Sequence, residues 1–581
     1  MLFTTLAEYF ERLEQTTGRN AMVQILSELL REPAPDEVDK VTYLCQGRLV
    51  PFFEPLEMGV GERLAQDAIA QAFDTTRDEA QGLYDRLGDL GLAAGELAQA
   101  HEQAVVDGLT VATVYQQLDE MARATGSGSV ERRVGILAAL LKSMDPRSAK
   151  YLMRIAVGTL RLGIGDPTIL DALSVMQAGD KSLRATLEGA YNITSDLGLI
   201  ARTLRESGVE AIGELHIEVG RPIRPALAER LPDAEAIIQK LGRAAAEPKY
   251  DGFRVQCHKD GDTVKLFSRR LENMTGMFPE IVEGVCAQVK VEKAIIEGEA
   301  VAYSPESEEY YPFQETTKRR RKYKIEETMA ALPLRLFVFD VLYVDGEDVM
   351  KRPYVERREI LKRAVEDGDA LSIAQEVIID NPHDLLAFFD DQVQKGLEGV
   401  VAKRLDSVYQ AGGRNFNWVK LKRSVAGQLR DTVDCVILGY IYGRGKRTSF
   451  GAGALLVGVY DQGKDEFVSV TKIGTGLTDE EWREIRARCD RIATEAKPAR
   501  VSTIIVPSIW VQPEVVIEVR ADEITRSPVH TCGKVNGEPG YALRFPRLVS
   551  FRGEDKRPED ATTVVEVIEM YERQVHLQVA P

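Results

Sequence analysis

Glu247-Pro248-Lys249-Tyr250-Asp251-Gly252-Phe253-Arg254 sets the reading of the whole chain. Ala244 to Ala246 lead into it, and the alternating run Val255-Gln256-Cys257-His258 leads out. Asp260-Gly261 interrupts that alternation, and Thr263-Val264-Lys265-Leu266-Phe267 resumes it. Two alternating runs around a D-G turn predict a β-hairpin. Lys249 therefore sits at the mouth of a strand, on a short glycine-containing connection, beside an acid and an arginine. A lysine so placed is a nucleophile when neighbouring cations or loss of water favour its neutral form. On local grounds alone, a surface hairpin with ordinary solvated charges is the better reading.

Working outward, 581 residues exceed what one core sustains, so two to four domains are expected. Hydrophobic content of 44% and charged content of 28% fit a soluble globular protein. No apolar run approaches membrane-spanning length, and Met1-Leu2-Phe3-Thr4-Thr5 is no signal peptide, which points to a cytoplasmic protein with no membrane partner. Six isolated cysteines, at 45, 257, 286, 435, 489 and 532, form no C-x-x-C pair and read as reduced, packed thiols. The net charge of −17 weighs mildly against nucleic acid. Basic clusters exist nonetheless, Lys318-Arg319-Arg320-Arg321-Lys322 being the densest.

From Met1 to about Gly220 the pattern is helical. Val134, Leu137, Ala138 and Leu141 keep helical spacing, as do Leu152, Ile155, Ala156 and Thr159. Asp145-Pro146 and Asp166-Pro167 each read as a capping acid followed by a first-turn proline. Leu160-Arg161-Leu162-Gly163-Ile164-Gly165 between them is either an ordinary corner or a phosphate-holding turn before a helix N-terminus. Arg221-Pro222-Ile223-Arg224-Pro225 marks a boundary. Strands and helices alternate after it, with Asn381-Pro382 opening a helix that Gly396 closes. Beyond about Asp431 short strands dominate, with one helix opened by a Thr478/Glu481 capping box, as a small OB-type barrel requires.

Several later stretches carry chemistry-bearing residues. Ser268-Arg269-Arg270 reads locally as a solvated basic edge. Glu297 and Glu299 lie two apart in an apolar strand, hence on one face, and buried carboxylates there need a partner or a metal. Leu336 to Tyr343, with Phe339 inside it, passes as a core strand. Trp418, Lys420 and Lys422 share one strand face while Val419 and Leu421 point to the core, a pairing of lysines suited to gripping phosphate.

Lys249-Tyr250-Asp251-Gly252-Phe253-Arg254 resembles the K-x-D-G-x-R signature of covalent nucleotidyltransferases, the DNA ligases, RNA ligases and capping enzymes. Ser268-Arg269, Glu297-Gly298-Glu299, Phe339, Glu398-Gly399-Val400-Val401-Ala402-Lys403 and Trp418-Val419-Lys420-Leu421-Lys422 resemble its companion motifs in order. Arg552 to Lys556 is similar to the R-x-D-K element, with one residue too many before Asp555-Lys556, which leaves Arg552 unassigned. With the helical leader, the chain resembles ATP-dependent DNA ligases of the archaeal and eukaryotic replicative type.

That resemblance implies a multidomain fold: an all-α DNA-binding domain at 1–220, an α+β nucleotidyltransferase (ATP-grasp-like) domain at 221–428, and a β-barrel OB-fold domain at 429–581. It implies Lys249 as the residue that takes AMP, with Asp251, Lys420 and Lys422 in catalysis. Nucleotide contacts fall to Glu247, Arg254, Arg269, Glu299, Phe339, Lys420, Lys422, Asp555 and Lys556, Glu247 reading the adenine amino group. Glu299 and Glu398 are the implied ligands of Mg2+, with Mn2+ as a substitute, and ATP is the co-substrate. The implied partner is nicked double-stranded DNA, with a sliding clamp as a further one, for a monomer at the nucleoid. An RNA ligase, a capping-type enzyme taking GTP, and a non-catalytic DNA or clamp scaffold are the alternatives. An NAD+-dependent ligase is disfavoured by the missing zinc cysteines.

Overall fold

The computed structural model describes the chain except at residues 17, 102–107, 232, 305–308, 312–315, 317–318, 320–324, 396, 423–431, 443–451, 475–476, 536–537, 553–555 and 577–581. Gly396, Asp555 and most of the 318–322 basic cluster thus lie outside the described residues. Two compact units emerge, Met1–Arg423 and Ser424–Pro581. No described helix is long and apolar enough to cross a membrane.

The first unit begins with twelve described helices from Phe3 to Gly213. Their apolar faces meet in one core that includes Phe10, Leu44, Leu137, Leu152, Leu173 and Ile200. Asp145 caps its helix as expected, accepting from the N–H groups of Arg147 (3.0 Å) and Ser148 (3.2 Å), with Pro146 in the first turn. That helix stops at Ala156, and Gly158 turns left-handed (φ 69°), so Thr159 falls outside the apolar stripe. Asp166-Pro167 departs from expectation too. Gly165 is the N-cap, and the Asp166 carboxylate instead takes Tyr191 (2.7 Å) and Gln46 (3.0 Å), which fixes the corner to neighbouring helices.

Residues 214–226 form the irregular linker that the paired prolines announce. Twelve described strands follow in two sheets. They are β1 Leu227–Arg230, β2 Ala244–Pro248, β3 Phe253–Asp260, β4 Thr263–Ser268, β5 Lys293–Ser304, β6 Glu309–Tyr310, β7 Leu334–Val344, β8 Glu347–Asp348, β9 Leu371–Ile373, β10 Val377–Ile379, β11 Gly399–Arg404 and β12 Arg414–Lys422. One sheet runs β1-β12-β11-β2-β10; the other runs β4-β3-β5-β7-β8, with β6 on β5 and β9 on β7. The β3/β4 hairpin forms as read, Asp260 opposite Thr263, with Gly261 left-handed (φ 58°) in the turn.

Helices Ala234–Leu241 and Pro382–Gln394 cover one face of the first sheet through Ile237, Leu385 and Phe388 against Val400, Ala402, Val419 and Leu421. Asn381 caps the latter helix, accepting from Asp384 N–H (2.9 Å). The opposite face therefore carries Glu247, Lys403, Trp418 and Lys420. The helical part meets β4 of the other sheet by ring contact of Phe53 with Phe267 (6.3 Å, 87°), and the linker by the Ser195 hydroxyl donating to the Pro222 carbonyl (2.6 Å).

The second unit is β-rich. Val433–Ile441, Ala454–Asp461 and Glu466–Ile473 form the centre of its main sheet, and Val516–Arg520 links Val433–Ile441 to Arg547–Phe551. The Thr478/Glu481 capping box opens helix Asp479–Asp490 as read from sequence.

Candidate active site

Lys249 lies on the crossover from β2 to β3, where the chain leaves one sheet for the other. Tyr250 anchors that crossover: it is buried and stacks on Phe337 (4.3 Å, 13°) beside Tyr303 and Tyr310. Gly252 is required because a Cβ there would run into the Ala300 carbonyl and the Val301 side chain. With Tyr250 turned inward, Lys249 keeps a side chain 22% exposed, and its ammonium pairs with the Glu398 carboxylate.

Glu299, opposite Arg254 in the β3/β5 register, faces the same surroundings. Burial pushes its carboxyl up to about 7, against the charges of Lys249 and Arg254 and a Gly252 N–H that pull it down. Asp251 adds a like charge that pushes it further up. Lys249, Asp251, Arg254, Glu299 and Glu398 thus share one electrostatic site. Among the described residues no three His, Cys, Asp or Glu side chains form a closed cation cage. Glu299 and Glu398 supply carboxylate oxygens, the donor type that a small hard cation prefers.

Arg254 is oriented by its neighbours. It donates to Glu297 (2.7 Å) and the Ala226 carbonyl (2.6 Å), and it lies 5.4 Å from the rings of both Phe339 and Trp418. Glu297 and Glu299 divide their duties accordingly: the first is buried as the arginine's counter-ion, the second remains partly open. Glu247 is nearly fully buried. Its carboxylate accepts from Tyr354 (2.5 Å) and pairs with Lys403 (2.7 Å), with Arg358 at 3.7 Å. Lys403, only 1% exposed, also donates to the Phe339 carbonyl (3.1 Å) and sits over the Trp418 ring (4.4 Å). Burial lowers its pKa, and Glu247 opposes that. Lys420 stands opposite Val401, itself opposite Glu247, on this same sheet face.

Not every residue singled out in the sequence joins this group. Arg269, exposed at the end of β4, lines a cavity of about 640 Å3 with Arg48, Asp166, Arg224 and Arg270, and also a smaller pocket that Arg254, Gln256 and Glu297 line. Lys556 belongs to the second unit, where its ammonium pairs with Asp434. Asp555 and the side chain of Lys422 lie outside the described residues. Tyr354, Arg358 and Tyr409, which complete the buried network, carry no local sequence signal; only the sheet order brings them in.

Three stretches match models of DNA ligase domains: residues 2–174 the DNA ligase N terminus, 225–422 the ATP dependent DNA ligase domain, and 448–556 the ATP dependent DNA ligase C terminal region. The chain is also 50% identical over 574 residues to a probable DNA ligase of Dictyoglomus turgidum, covering 99% of this chain and 98% of that one. The chain belongs to the ATP-dependent DNA ligases.

Other ligases align over nearly their whole length. DNA ligase 2 of Thermofilum pendens is 43% identical over 587 residues (98% of this chain, 97% of that one), and the DNA ligase of Sulfolobus acidocaldarius 41% over 594 residues (100% and 99%). A solved structure titled Pmar-Lig_PreS3 shares the fold, with a TM-score of 0.54 at 18% identity over 94% of this chain and 99% of that one. The enzyme is a DNA ligase: it forms phosphodiester bonds at nicks in DNA with ATP as co-substrate.

Proposed function

We propose that Lys249 is the residue that carries AMP during nick sealing. The observation that carries this is its position on the crossover between two sheets, paired with Glu398 and near enough for its charge, like that of Arg254, to act on Glu299. In the first step the neutral amine attacks the α-phosphorus of ATP. A P–N bond forms, the bond to the bridging oxygen breaks, and pyrophosphate leaves with the electron pair. Only the neutral amine can attack, so the Lys249–Glu398 pair parts before this step. In the second step a 5′-phosphate oxygen at the nick displaces the lysine and takes the AMP. In the third the adjacent 3′-hydroxyl attacks that phosphate, AMP leaves, and the strand closes.

Lys420, Lys422 and Arg254 stabilise charge on the phosphoryl oxygens, and Asp251 helps set the electrostatics around the amine. Glu299 and Glu398 would hold Mg2+, or Mn2+ in its place, which supplies Lewis acidity at the phosphates. Phe339 supplies a face for the base. Glu247 reads the adenine amino group with lone pairs left over from Tyr354 and Lys403, since each carboxylate oxygen accepts more than one hydrogen bond. Arg269 contacts ribose and phosphate, and Asp555 and Lys556 orient the leaving pyrophosphate.

The domain bounds we assign are 1–220 for DNA binding, 221–428 for adenylation and 429–581 for an OB-fold. The half-barrel pairing of Val433–Ile441 with Ala454–Asp461 and Val516–Arg520 supports the last. The enzyme acts as a monomer on nicked duplex in the cytoplasm, at the nucleoid, with a sliding clamp as partner. Incubation with α-labelled ATP, GTP or NAD+, with and without EDTA, tests the nucleotide and metal assignments. Label from ATP alone, lost with EDTA, is expected; label from GTP, or label in EDTA, contradicts them.

A further inference from the structure

The linker that joins the helical part to the strands is held to Arg254 by a buried chain of hydrogen bonds. Gly220 N–H donates to His258 Nδ1 (2.9 Å), which leaves the ring proton on Nε2, facing Gln256 Oε1 at 2.8 Å. Gln256 Oε1 also accepts from Ile223 N–H (2.8 Å), while its Nε2 donates to the Ile223 carbonyl (3.0 Å) and to Glu297 Oε1 (3.2 Å). The other Glu297 oxygen accepts from Arg254 (2.7 Å) and from the Tyr409 hydroxyl (2.7 Å). The chain closes on the linker again, since Ala226 N–H donates to Tyr409 (2.9 Å) and the Ala226 carbonyl accepts from Arg254 (2.6 Å).

Every donor and acceptor of the Gln256 amide is used, with Gln256, His258, Glu297 and Ile223 all buried. Burial, with the Lys265 charge, pushes the His258 ring down to about 3, so it stays neutral and the donor direction is fixed. A satisfied buried network has one arrangement, whereas a broken one leaves desolvated groups behind. Displacing the linker therefore costs the orientation of Glu297, and through it that of Arg254.

We propose that Gln256 is a positioning residue that couples the linker Gly220–Ala226 to Arg254, so that linker docking and nucleotide binding favour each other. The inference rests on the assignment of Arg254 to the nucleotide site. Coupling of this kind is reciprocal: nucleotide protects the linker, and a loosened linker weakens nucleotide binding.

The test uses the full-length enzyme. Hydrogen–deuterium exchange of the Gly220, Ile223 and Ala226 N–H groups, each bonded into this network, reports the linker. An ATP analogue with a methylene group between the α- and β-phosphates, given with Mg2+, reports site occupancy without AMP transfer. In the wild type the analogue is expected to slow linker exchange severalfold. In Gln256→Leu linker exchange is faster, the analogue no longer protects, and KM for ATP in adenylate formation rises about tenfold, as loss of one charge-assisted bond implies. The kcat stays within about threefold. Gln256→Glu, which keeps the acceptor and loses both donors, shifts the same way. Linker exchange indifferent to the analogue in the wild type overturns the proposal whatever the variants do, and so does a wild-type KM in either folded variant. Arg254→Ala separates the two levels. If it leaves KM unchanged, the nucleotide-site reading fails; if it is impaired while Gln256→Leu is not, only the coupling fails.

Discussion

Lys249 and Glu398 are joined twice. Their side chains form an ion pair, and the Glu398 N–H donates to the Lys249 carbonyl (3.1 Å) while the Lys249 N–H donates to Gly399 (2.9 Å). The crossover and the start of β11 thus hold each other in register independently of the charges. Replacing the Glu398 carboxylate by an amide should leave that backbone frame intact. Glu398→Gln is expected to keep the thermal transition of the wild type yet lower the rate of adenylate formation about 10²-fold, the scale of losing one electrostatic stabiliser. Stopped-flow or quench measurement of labelled adenylate checks it; a rate within a few-fold of wild type would remove Glu398 from the site.

Asp340 and Arg357 form a fully buried, two-pronged pair (2.8 and 3.0 Å), and Arg357 further donates to the Ser407 carbonyl (2.9 Å). Asp340→Ala leaves an uncompensated guanidinium beside the strand that carries Phe339. A loss of about 3–5 kcal/mol is expected in denaturant unfolding. Arg357→Met together with Asp340→Leu, which removes both charges, should recover most of it.

Glu247 and Lys403 separate stability from recognition in the same way. Glu247→Gln strands a buried ammonium, so lower stability and weaker adenylation are expected together. Glu247→Gln with Lys403→Met restores stability because no charge is left unpaired. The double variant should still discriminate poorly between ATP and GTP, as labelled-nucleotide competition would show. Wild-type selectivity in that variant would place adenine recognition elsewhere.

In the helical part, burial raises the Glu14 carboxyl, but hydrogen bonds from Lys150 (2.7 Å) and Tyr151 (2.6 Å) and the Arg154 charge outweigh it and hold the group at about 2. A depressed carboxyl stabilises the fold above its ordinary value near 4.5, and that contribution fades as pH falls towards 2. Glu14→Gln should therefore cost about 1–2 kcal/mol near pH 7, after discounting for its partial exposure. The gap from wild type should narrow steadily below pH 4.5. A gap independent of pH would mean that packing, not charge, is lost.

Much of this was legible in the sequence because it is local. Alternation on both sides of Asp260-Gly261 gave the hairpin, and period two in Trp418 to Leu421 gave the buried face that Val419 and Leu421 occupy. Asp145-Pro146 and Thr478/Glu481 are caps that act within one turn. What escaped depends on sheet order. Nothing near Arg254 says that its partner is Glu297 rather than Glu299, because the choice follows from Ala226 and Tyr409 arriving from 28 residues before and 155 after. Asp166 failed as a cap for a similar reason: Tyr191 and Gln46, far along the chain, bind its carboxylate more productively than its own helix does.

The most direct test is peptide mapping after incubation with α-labelled ATP and Mg2+. The account expects acid-labile label on the tryptic peptide that contains Lys249, none in Lys249→Ala, and an unchanged circular dichroism spectrum for that variant, whose lost side chain is partly exposed rather than core. Covalent label retained by Lys249→Ala, or mapped to another lysine in the wild type, would contradict it.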